Sequence, residues 1–141
     1  MARTFRFPKP IHLSTALGAA AVLFTAAACS AGAGAEIATA AEHAGYAANA
    51  ATIEDVHMHL HHAINCLVGA KGEGFDPRAL DPCAQRGNGA IPDSKNMKTK
   101  KSLESALKLA DKGLASGNLS MAQEDAHLVN GMLKKTEPTA K

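Results

Sequence analysis

The chain has no Trp and a single Tyr among 141 residues, and only 4 % of it is aromatic. Stacked rings that would wall a haem pocket or hold splayed bases are therefore scarce. Charge of one sign is also lacking. Fifteen Lys and Arg face 13 Asp and Glu, and three of the basic residues, Arg3, Arg6 and Lys9, lie near the N-terminus, so from residue 29 onward the balance is 12 against 13. That balance offers no field for nucleic acid or an anionic membrane face. Cysteine is limited to Cys29, Cys66 and Cys83, with no Cys-x-x-Cys redox pair and no haem-attachment motif. Phosphate-binding glycine loops, His-Glu-x-x-His and EF-hand patterns are missing, and no Ser has a triad setting. So short a chain leaves little for the walls of a deep cleft, and the expectation is a non-enzyme.

What is present begins with an export signal. Met1 to His12 is short and basic, Leu13 to Ala28 is a weakly apolar run, and Ala26, Ala27 and Ala28 precede Cys29. The run is short and Ala-rich for a membrane span but fits a secretory core. Ala26-Ala27-Ala28-Cys29 looks like a bacterial lipoprotein cleavage site, which makes residues 1–28 a signal peptide and Cys29 the lipidated first residue. A cut after Ala33-Gly34-Ala35 would instead release a soluble protein, and a retained anchor is the third possibility. Residues 29–35 read as a flexible tether, 36–137 as the domain and 138–141 as a disordered tail. The expected location is the periplasm, with membrane contact only through an N-terminal lipid. Cys66 and Cys83 then form the pair left in an oxidising compartment, and a disulfide between them is expected, worth about 3 kcal/mol for a loop of this size.

Periodicity predicts four helices. Glu36 to Ala50 is Ala-rich, with Ala40, Ala44 and Ala47 on one close-packing face. Thr52 is a candidate N-cap for a second helix, Ile53 to Leu67, in which Ile53, Val56, Leu60, Ala63, Ile64 and Leu67 form an apolar stripe. Val68 to Pro92 holds five Gly and three Pro, which forbids a long helix. A connection this long needs fastening; Cys83 supplies it, with Phe75, Leu80 and Ile91 as expected feet on the bundle. A third helix, Ser94 to Ala115, carries Leu103, Leu107, Ala110 and Leu114, and Gly117 is its expected left-handed terminator. The fourth opens at Ser120 in a capping box with Gln123, presents Met121, Leu128, Val129, Met132 and Leu133, and stops at Glu137-Pro138. Short turns make each pair an antiparallel hairpin. The expected fold class is all-α, a small four-helix bundle of two antiparallel hairpins joined by a long, disulfide-stapled loop, 68–92.

Six of the seven His fall after residue 29, and four of them lie within His57 to His62. At about 100° per residue, His57, His61 and Glu54 lie on one flank of the second helix's stripe, and His59, His62, Asp55 and Cys66 on the other. Spacings of four and three bring imidazoles close enough to share an ion. Neutral imidazole suits Cu(II), Zn(II) and Ni(II), with copper highest in the usual order. Two donors on one helix seldom saturate a metal, so His43 from the first helix is the expected third. His43, His57 and His61, with Glu54 close behind, are the first choice; His59 and His62 are the second pair. The same pattern also fits a solvated face titrating at about pH 6.5. Asp125 falls inside the fourth helix's apolar side, where a buried carboxylate needs Lys, a loop N-H or a metal as partner.

With an export signal, short amphipathic helices and His at hairpin spacing over Glu36 to Lys135, the chain loosely resembles the small periplasmic metal-binding proteins that are His-bearing four-helix bundles. The resemblance implies divalent metal binding, notably of copper, without turnover, for storage, buffering or delivery. Those proteins scatter His over every helix, whereas this chain concentrates it. Two other readings compete. One is a structural or interaction lipoprotein of the envelope, presenting the Gly-rich loop 69–89 to a partner. The other is a di-iron carboxylate oxidoreductase, suggested by Glu54-x-x-His57 and Glu124-x-x-His127 with Glu36 or Glu42 and Glu104; its Glu124 and His127 lie off the apolar stripe.

Overall fold

A computed structural model describes residues 32–136. The expected signal peptide, the expected lipidation site Cys29, the first part of the expected tether and the tail 138–141 lie outside the described residues. Five helices follow in order: α1, Gly32–Ala48; α2, Ile53–Val68; α3, the single turn Ala90–Asp93; α4, Met97–Ala115; and α5, Leu119–Thr136. The four long helices form the expected bundle. In it α1 packs between α2 and α5, and α4 packs against the same two helices from the other side. None of the helices among the described residues is long and apolar enough to cross a membrane.

The interior is built from small side chains on α1 and larger ones on α2. Ile37, Ala40, Ala41, Ala44 and Ala47 are buried on α1, and Val56, Leu60, Ala63, Ile64 and Leu67 on α2. Alanine faces let helix axes approach closely, while each fully buried Leu or Ile contributes about 1.5–3 kcal/mol. Thr52 caps α2 as expected, its hydroxyl accepting the Asp55 N-H at 3.1 Å.

Several boundaries differ from the sequence reading. Residues 32–35, expected in the tether, form the first turn of α1, where Ala33 packs on the core and the Ala35 carbonyl accepts the Thr39 hydroxyl. At the other end Asn49 and Ala50 leave the helix through tighter bonds to the carbonyls of Tyr46 and Ala47. The expected third helix starts at Met97 because Asn96 caps it, accepting the N-H groups of Lys98 and Thr99. Its end is set by Ser116 in an extended conformation, and Gly117 does not take positive φ. Asn118, not Ser120, caps α5 by accepting the Met121 N-H, and Gln123 instead reaches across to the Ala50 carbonyl at 2.8 Å.

The face of α5 is also turned. Met121 and Leu128 are exposed, and the buried stripe is Ala122, Asp125, Ala126, Val129 and Leu133. Alanines win these positions because the helices pack so close there that Gly113 of α4 lies against Leu60, Ala122 and Asp125. Asp125, 2 % exposed, is neutralised by Lys112, whose Nζ donates to Oδ1 at 2.7 Å.

The segment 69–89 is a strap over the outer face of α2. Asn65, fully buried, holds it with three hydrogen bonds: Nδ2 donates to the carbonyls of Asp76 and Leu80, and Oδ1 accepts the Asp76 N-H. The Cys66–Cys83 disulfide is formed, and Phe75 and Ile91 pack on the core. Leu80 is not a foot: its side chain is 63 % exposed and its carbonyl makes the attachment. The strap's exit and return touch backbone to backbone. Gly69 and Gly89 both have positive φ, and a Cβ on Gly69 would sit 1.8 Å from the Asn88 carbonyl oxygen. Glu36, fully buried, ties α1 to the same crossing, its Oε1 accepting the Gly89 N-H at 2.7 Å while Oε2 has no partner among the described residues. Burial holds the Glu36 carboxyl above the usual carboxylate range; the Gly89 N-H opposes this, and Asp93 and Asp81 add to it.

Candidate metal centre

The α1–α2 hairpin places His43 opposite the His59 and His62 flank of α2. The Nδ1 atoms of His43 and His59 are 3.3 Å apart, and the rings of all three residues pack pairwise with centroids 5.0–5.6 Å apart. One ligand nitrogen from each of His43, His59 and His62 lies within 4.8 Å of the others. Among the described residues this is the one set of three or more His, Cys, Asp or Glu with ligand atoms that converge. The cluster is able to coordinate a metal ion. Two nitrogens bound at about 2.05 Å and about 109° apart on one ion are about 3.3 Å from each other, which is the His43–His59 separation.

The electrostatics favour the ligand form of imidazole. Burial pushes His43 below its ordinary value, and the positive charge of a protonated His59 acts in the same direction, against a smaller opposing effect of Glu42. His62 is pushed down by burial and then by His43, His59 and His61. His62 is 7 % exposed, and its Nδ1 is buried without a hydrogen-bond partner. A polar atom in that condition calls for a proton, a water or a metal. His62 thus closes the inner side of the cluster, while His43 and His59 are half-buried towards solvent.

The first-choice ligand set is not assembled. Only His43 of that set reaches the cluster, and its partners are the second pair, His59 and His62. His57 turns to α4, where its Nε2 lies 3.0 Å from the Ser116 carbonyl. A carbonyl only accepts, so Nε2 carries the proton, and the ring caps the C-terminal end of α4. His61 faces the strap, with Nδ1 3.8 Å from Asp76 Oδ2. Glu54 and Asp55 are exposed in the first turn of α2, and Asp55 is engaged with Thr52. The di-iron inventory is likewise dispersed: Glu54, Glu124, His127, Glu42 and Glu104 are exposed, and Glu36 is committed to Gly89.

Tyr46 is the neighbour that sequence reasoning left without a role. Its ring packs on both half-buried histidines, with centroids 5.6 Å from His43 and 5.3 Å from His59. The available signal was its spacing, three residues after His43 on the same helix.

No protein-family model, curated protein or solved structure matched this chain in the comparisons.

Proposed function

We propose that this is an exported protein that binds one divalent transition-metal ion between α1 and α2 through His43, His59 and His62, for storage, buffering or delivery and without catalytic turnover. The observation that carries the reading is the convergence of three imidazole nitrogens from two helices within 4.8 Å. Copper is the first candidate and zinc or nickel the next, because borderline nitrogen donors bind in that general order. The periplasm is the proposed location. The basic and apolar leader supports it, and the Cys66–Cys83 disulfide fits an oxidising compartment. A lipid on Cys29 would be the membrane attachment.

The chain supplies its own reporter, because Tyr46 is the only Tyr, there is no Trp, and the ring touches the cluster. Titrating metal-free protein with Cu(II) should quench tyrosine emission in step with the heat of binding, saturating at one ion per chain. Zn(II) and Ni(II) should compete more weakly. Unchanged emission and no heat with all three ions at micromolar concentration would end the reading.

A further inference from the structure

Three histidines do not complete the coordination of most transition-metal ions; a fourth position remains, and it must face the side of the cluster that protein does not close. His62 packs against His43 and His59 from the buried side. Tyr46 packs against the same two rings and is 49 % exposed, so it stands on the solvent side. A helical side chain leans towards the N-terminus of its helix, which brings the phenol oxygen back to the level of Glu42 and His43. There its hydroxyl donates to Glu42 Oε1 at 2.5 Å. Little in the core depends on this side chain, and its only hydrogen bond among the described residues is to an exposed carboxylate.

Resting on the three-histidine reading above, we infer that Tyr46 is the fourth ligand, its phenol oxygen leaving Glu42 to bind the metal as phenolate. The step balances without electron transfer. The metal–oxygen bond forms as the phenol O–H bond breaks, and the proton passes to the Glu42 carboxylate and from there to water. An anionic oxygen added to three imidazoles favours the harder, more highly charged ion. The site is thereby selective for Cu(II) over Cu(I).

The test uses the full mature chain and one equivalent of Cu(II). The wild type should show a phenolate-to-copper(II) charge-transfer band in the visible, with tyrosinate vibrations enhanced when that band is excited. Tyr46→Phe should bind Cu(II) about tenfold more weakly, a loss on the scale of disturbed metal-site partners, with no band, while its Cu(I) affinity stays at the wild-type value. Wild-type protein that binds Cu(II) with only weak ligand-field absorption, and with the same affinity as Tyr46→Phe, would overturn ligation by Tyr46 and leave the three-histidine site standing. Wild-type protein that binds no copper at all would overturn the site and this inference together. The vibrational measurement on the wild type decides the matter even if the variant folds poorly.

Discussion

The two flanks of α2 carry nearly the same chemistry: His57 and His61 on one, His59 and His62 on the other, each with a carboxylate near the helix start. They meet different neighbours. The first flank faces the end of α4 and the strap, where the Ser116 carbonyl takes the His57 ring and the Asp76 carboxylate stands 3.8 Å from His61 Nδ1 without a hydrogen bond. The second faces α1, which brings a further imidazole and no hydrogen-bond acceptor for buried His62 Nδ1. His57, supplied with its own acceptor, becomes a structural tie. The three pressed together instead bring one ring nitrogen each within 4.8 Å of the others, within reach of a single ion.

The largest expected effect separates the flanks by metal affinity. Replacing His59 and His62 with Ala should weaken Cu(II) binding on the order of 10⁴-fold, given about 3 kcal/mol per ligand on the scale of small metal sites. His57→Ala with His61→Ala should change it by no more than about twofold. Calorimetry on both double variants checks this, and equal losses would erase the distinction between the flanks. A second, smaller effect concerns the strap. Replacing Cys66 and Cys83 with Ala should cost about 3 kcal/mol in urea unfolding. Metal affinity should fall less than in the His59/His62 variant, because His43 and His59 are positioned by the α1–α2 hairpin.

The smallest effect sharpens the comparison through pH. His43 and His62 have folded values below the ordinary imidazole value, mainly through burial. The unfolded chain therefore binds more protons than the folded one between the two values. The contribution of these two histidines to the stability of the metal-free protein should be complete above about pH 6.5 and should be lost as pH falls through the lowered folded values. Thermal unfolding from pH 7.5 to 5 should show the decline, and His43→Asn with His62→Asn should flatten it. The same slope in that variant would assign the pH dependence elsewhere.

Much of the scaffold was legible from residue order. The α2 stripe, the Thr52 cap, the Ala face of α1 and the cysteine pairing all rest on local spacing or on composition, and each stands as read. Details that depend on the closeness of neighbours were not legible. Met121 and Leu128 look like core by hydrophobicity, yet Ala122 and Ala126 fill the interior because Gly113 brings α4 near. Asn65 is an ordinary polar residue in the sequence, and only the strap's path gives it three partners.

Sequence by itself determined that two pairs of imidazoles would flank one buried stripe, because a helix's period converts spacing into direction. Which pair would meet His43 was decided by the tertiary structure. A bundle with α1 on the other flank would bury the same stripe, since one helix's pattern does not distinguish left from right. Contacts between residues far apart in the chain make that choice: Asn130 donating to the Ala41 carbonyl, Gln123 to the Ala50 carbonyl, and Gly113 seated against Leu60. Handedness is a property of several helices packed together, and with it came the convergence of His43, His59 and His62.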